Sequence, residues 1–143
     1  MFEESIDFEA EDINFELTNY QQVSEWIKQV IHKHNFQLET LTFIFCSDEY
    51  LHKINLQYLD HDTLTDIITF DNSDEEGIIE GDIFISIDRV KENALDLNVS
   101  FEDELHRVII HGVLHLLNID DKTPELKAIM RTKENENLQL RNF

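Results

Sequence analysis

The 143-residue sequence predicts an α+β fold, a single small mixed sheet of about four strands packed against about five helices. Two observations carry that expectation. Short segments alternating apolar and polar residues at the period of a half-buried strand are interleaved with longer segments whose apolar residues recur at helical spacing. Hydrophobic side chains also make up 41% of the chain, enough for a sizeable core, while three Gly and one Pro leave little material for linkers. The expectation is therefore one domain over residues 1–143, with no internal repeat.

The elements follow in order. Residues 12–18, DINFELT, alternate like a half-buried strand. A helix is predicted over about 20–34, where Val23, Trp26, Ile27, Val30 and Ile31 fall on one face. LETLTFIFC (38–46) reads as a second strand, and SDEYLHKINLQYL (47–59) as a second helix with Ser47 or Asp48 placed to cap it. TDIITF (65–70) and EGDIFISI (80–87) are two more strands joined by an acidic loop. Three helices are then predicted over about 88–97, 101–117 and 124–140. Ser100 followed by Asp103 approximates a capping box, and Thr123-Pro124 offers a cap with a first-turn proline.

Composition narrows the function classes. The longest apolar runs fall far short of the roughly 20 residues that cross a bilayer, and the acidic start lacks the basic region of a signal peptide. A cytoplasmic protein without membrane attachment is expected. The lone Cys46 excludes an internal disulfide and, ending an apolar run, reads as a small buried hydrophobe. A net charge of −20 opposes broad attraction to phosphate backbones. Part of that charge is local: Glu3, Glu4, Asp7, Glu9, Glu11, Asp12 and Glu16 crowd the N-terminus, and Asp71, Asp74, Glu75 and Glu76 share one loop. Lys122, Lys127, Arg131 and Lys133 cluster instead near the segment that carries the chemistry.

That segment is the helix 101–117. Leu105, Val108, Ile109, Ile110, Val113, Leu114, Leu116 and Leu117 leave most of its circumference apolar, which demands burial. Glu104, Arg107, His111, His115 and Asn118 form its one polar stripe. His111 and His115 project from adjacent turns, the separation at which two imidazoles converge on one ion. A third ligand must come from another direction. Asn118 tolerates the left-handed backbone that closes a helix, and Asp121, favoured over Asp120 on spacing, then returns over the helix end. Two imidazoles and a carboxylate leave a fourth position open, as in catalytic zinc sites, although the same donors also suit iron or nickel.

The run HGVLHLLNIDD resembles the His-Gly-x-Leu-His-Leu-x-Gly-Tyr-Asp-His signature of the YbeY family of bacterial ribosomal-RNA maturation endoribonucleases. Asn55, Tyr58 and the run Thr65-Asp-Ile-Ile-Thr-Phe resemble that family's strand segment. Gly81-Asp-Ile-Phe-Ile-Ser resembles its edge strand beside the cleft, so the similarity spans roughly residues 40–140. The resemblance implies a zincin-like domain holding one Zn²⁺ per chain through His111, His115 and Asp121. It also implies single-strand cleavage in 16S rRNA 3′-end maturation, with ribosomal RNA or the ribosome as partner and no role for DNA. Three positions depart from the pattern: Asp121 stands for a histidine, Asn118 for a glycine, and Leu59 for an arginine. Arg89 or Arg107 is either the replacement for that arginine or an ordinary ion-pairing residue. Asp82 either faces the cleft or is a solvated edge charge, and Gly112 signals a close approach to the helix.

Two other readings fit parts of the sequence. The spacing of His111, His115 and Asp121 also matches metzincin peptidases, whose general base would occupy the position held by Gly112. Leu59 and the acidity suit a non-catalytic ribosome-assembly or RNA-binding factor whose metal is structural or vestigial.

Overall fold

The computed structural model describes residues 4–60 and 65–143, so that of the acidic N-terminal residues only Glu3 lies outside them. Nine elements follow one another: β1 (Ser5–Ala10), α1 (Tyr20–Lys33), β2 (Gln37–Cys46), α2 (Asp48–Leu59), β3 (Ile67–Asp71), β4 (Ile78–Ser86), α3 (Ile87–Leu97), α4 (Phe101–Leu116) and α5 (Pro124–Leu138). The strands form one mixed sheet in the order β1-β2-β4-β3, with β1 and β4 parallel to β2 and β3 antiparallel to β4. This is the predicted α+β architecture.

The sheet sorts its side chains by alternation. Leu41, Phe43 and Phe45 of β2 and Ile79, Ile83 and Ile85 of β4 face the main core, where α1, α3 and α4 supply Trp26, Ile27, Val90, Ile109 and Val113. On the opposite face a smaller cluster of Cys46, Leu51 and Ile68 lies beneath α2. The fifth helix packs along α4 and buries Met130, Glu134 and Asn137.

The caps expected at Ser47, Ser100 and Thr123 form, although the Asp103 carboxylate accepts from Arg141 rather than closing a capping box, and Ser86, read from sequence as a strand residue, caps a further helix. Ser47, Ser86, Ser100 and Thr123 each accept a backbone N–H of the first turn of the helix they precede, and Pro124 opens α5.

Two expectations need correction. Residues 12–18 are not a strand; the first strand is Ser5–Ala10. The alternation there is real, since Leu17 is buried and Ile13 and Phe15 pack against the core. However, the ladder runs only as far as the Glu11 N–H to Phe45 O bond, after which Asp12 adopts φ +37° and its carboxylate accepts both N–H and Oγ–H of Ser47. The chain leaves the sheet there, so periodicity recorded burial without pairing. Second, the segment beginning at Gly81 is not an edge strand. It belongs to β4, which lies between β2 and β3, and β3 is the edge. Gly81 permits this because a Cβ would collide with the Phe70 carbonyl of β3.

Candidate metal centre and its cleft

The centre is built on α4, whose apolar sides are enclosed: Leu105, Val108, Ile109, Ile110, Val113, Leu114 and Leu116 are all buried. Position 112 is pressed against the sheet, where a Cβ would stand 2.8 Å from Ile67 Cδ1 and 3.1 Å from Ile83 Cδ1. The close approach signalled by Gly112 is thus to β3 and β4. A metzincin-type glutamate would have no place there.

The polar stripe keeps its predicted line. Asn118 takes φ +69°, with Ile119 N–H bonded to Leu114 O at 3.1 Å and Asn118 N–H to His115 O at 3.0 Å, so α4 ends in a left-handed closure. The chain then turns back. Asp120 Oδ1 accepts the N–H groups of Asp121 and Lys122 at 2.6 and 3.1 Å, an Asx turn that occupies the Asp120 carboxylate and presents Asp121.

His111, His115 and Asp121 thereby meet. The two Nε2 atoms are 3.0 Å apart, and each lies 3.5 Å from Asp121 Oδ2. Donor atoms at ~2.0–2.1 Å from a tetrahedral ion stand about 3.3 Å from one another, so the triangle fits a zinc-sized cation in both dimensions and donor chemistry. The three residues form a group that could hold a metal ion.

Glu134 of α5 completes the arrangement, and sequence reasoning missed it. Its Oε2 accepts from His111 Nδ1 at 2.6 Å, while its Oε1 accepts from Arg107 Nη1 at 3.0 Å. Glu134 is only 5% exposed, so these bonds are made away from bulk water. The bond favours the tautomer of His111 that carries its proton on Nδ1 and leaves Nε2 within 3.0 Å of His115 Nε2 and 3.5 Å of Asp121 Oδ2. Burial works against charging His111, but the hydrogen bond and charge of Glu134, helped by Asp121 and Asp66, hold its pKa above the ordinary imidazole value. Burial and the neighbouring His111 push His115 below it. Burial would raise Glu134, yet its bonds to His111 and Arg107 bring it below the usual carboxylate range.

The group opens on a cleft of about 620 Å³ lined by Asn55, Leu59, Thr65, Asp66, Ile67, Ile68, Thr69 and Lys122. Asp66, also missed, sits at the entry to β3, where burial drives its pKa upward. Leu59, where the resemblance expected arginine, is 41% exposed at the cleft wall. Arg107 pairs with Glu134, and Arg89, which does not line the cleft, is bonded to Asp48 at 2.8 Å. Asp82 does not reach the cleft: it alternates onto the opposite sheet face and accepts from Asn72 Nδ2 at 3.1 Å. Lys133 pairs with Glu136, and Lys127 is exposed. The buried stripe of α5, with Glu134 between Met130 and Asn137, was the signal that could have found Glu134. The signal for Asp66 was its place in the run Thr65-Asp-Ile-Ile-Thr-Phe that carries the resemblance.

The family model described as Endoribonuclease YbeY matches residues 5–142. This chain belongs to the YbeY family of endoribonucleases. A YbeY relative, the Endoribonuclease YbeY of Cytophaga hutchinsonii, is 50% identical over 143 residues and is covered, like this chain, to 100%. Another from Amoebophilus asiaticus is 52% identical over 125 residues, 87% of this chain and 85% of its own. Among solved structures, a Thermotoga maritima protein known in solution aligns at a TM-score of 0.63 and 25% identity, over 94% of this chain and 89% of that one. In this YbeY-family chain no helix among the described residues is long and apolar enough to cross a membrane.

Proposed function

We propose that this YbeY-family protein is a cytoplasmic zinc-dependent endoribonuclease that cuts single-stranded RNA in 16S rRNA 3′-end maturation, with His111, His115 and Asp121 holding one ion per chain. The observation that carries this reading is the triangle of two imidazole nitrogens and one carboxylate oxygen, at 3.0 and 3.5 Å, facing an open cleft. When bound, the ion supplies Lewis acidity toward a phosphate oxygen and a means of ionising water near neutral pH.

The remaining work falls to the protein. His111 and His115 are held on a helix packed on nearly every side, so their nitrogens need no reorganisation before the reaction. Glu134 retains the Nδ1 proton of His111 and keeps that ring a donor of its Nε2 lone pair. The β3 edge and the end of α2 form a wall along which an extended strand can lie.

The test is cleavage of a 16S precursor by purified protein with its metal content measured. Chelation and His115→Ala should each abolish cutting while the protein stays folded. A metal-loaded protein that leaves the precursor intact, with His115→Ala indistinguishable from it, ends the proposal.

A further inference from the structure

Positive charge is scarce in this molecule: 11 Lys and Arg stand against 31 Asp and Glu, and the arginines are Arg89, Arg107, Arg131 and Arg141. The last three line a channel made of two adjoining cavities that share Glu104, Arg107 and Arg131. Behind His111 lies a cavity of about 210 Å³ bounded by Asp66, Glu104, Arg107, Arg131 and Glu134. Arg107, Arg131 and Glu104 also wall the next cavity, about 540 Å³, which runs between α4 and α5 to Arg141. Because Asp66, Ile67 and His111 belong to both the first cavity and the metal cleft, the channel leads away from the centre itself.

The guanidiniums in this channel have donors to spare. Arg107 gives one N–H, from Nη1, to Glu134. The Arg131 guanidinium makes no hydrogen bond among the described residues; its one ion-pair partner there is Glu134 at 3.7 Å, and the side chain is 59% exposed. A guanidinium carries five N–H donors in a fork matched to phosphate oxygens. Glu104 and Glu134 oppose them but are buried beneath, 6% and 5% exposed, while Asp103 is taken by Arg141 at 3.3 Å.

We propose that this channel is a phosphate-binding extension of the RNA site, in which Arg131, with Arg107 beside it, holds a phosphodiester flanking the one at the metal centre. The inference rests on the endoribonuclease reading for its ligand. It also explains how so acidic a chain retains an RNA strand beside a cleft wall where Leu59 offers no charge.

The experiment measures equilibrium binding of a fluorescent 2′-O-methyl oligouridylate of about 12 nucleotides to the full chain, by anisotropy, over a series of salt concentrations. Arg131→Gln should weaken binding about 3–10-fold at low salt and reduce the salt slope by about 0.7, the share of one phosphate contact on a single strand. Arg131→Lys should restore the slope without fully restoring affinity. Lys53→Gln, an exposed substitution on α2, should change neither. Wild-type affinity and slope in Arg131→Gln would overturn the proposal, as would wild-type protein that fails to bind the probe. Binding that depends on Arg131 in a metal-loaded protein that cuts no RNA would sink the endoribonuclease reading and leave the channel standing as an RNA-binding groove.

Discussion

Glu134 Oε2 and His111 Nδ1 lie 2.6 Å apart, so a carboxylate from α5 grips the back of an imidazole from α4 whose front edge faces Asp121. Two helices that would otherwise only pack together are thereby joined at the chemical centre. The consequences can be measured.

Glu134→Gln keeps the shape and can still accept the Nδ1 proton, but loses the charge that raises the basicity of His111. Metal affinity should fall about 10–100-fold. Competition with a chromophoric chelator measures this directly, and the His111 pKa of the metal-free variant should drop in a proton-NMR titration.

Asp121 rides on the Asx turn of Asp120, whereas both histidines are fixed to α4. Asp121→Ala should cut retained metal at least about tenfold after dialysis without unfolding the protein, and Asp121→His should restore it. Elemental analysis beside a thermal melt separates loss of the ion from loss of the fold.

Asn118 holds φ +69° in an exposed position. Asn118→Ala should cost about 1 kcal/mol, because a Cβ opposes the left-handed conformation, and Asn118→Gly should be neutral or slightly stabilising. Denaturant unfolding of the three proteins decides the order.

His106 is buried against Trp26 and Phe143, and burial, with the charge of Arg141 beside it, pushes its pKa down to about 4. Since the unfolded chain takes up this proton near pH 6.5 and the native one does not, stability should fall as pH drops from 6.5 toward 4. The loss attributable to this group is up to about 3 kcal/mol. His106→Gln should flatten that part of the stability profile, and an unchanged slope would refute the assignment.

The Cys46 thiol is fully buried and pushed up to about 12, first by burial and then by nearby carboxylates. It should ignore a thiol reagent at pH 8 in the native state and react with it once the chain is denatured.

Local rules made much of the molecule legible in the sequence. The caps at Ser47, Ser100 and Thr123, the apolar girdle of α4 and the left-handed Asn118 all depend on residues within a few positions of one another. The triangle of His111, His115 and Asp121 was likewise readable, because eleven residues of helix and turn contain it. What escaped were relationships across the fold. Residues 12–18 carry a strand's pattern but find no partner strand, and no local pattern announces that absence. The centrality of β4 depends on which strands flank it, and Glu134 matters only because α5 lies along α4. Asp66 becomes part of the site through the placement of the β3 entry beside His111.

The sequestered backbone of α4 gives the three side chains of the triangle unequal support. Two of the three donors share a rod that cannot swing without disturbing the whole interior, so they serve as a fixed berth. The third stands on a short surface bend, so a substitution in that bend should alter the triangle while leaving the interior intact.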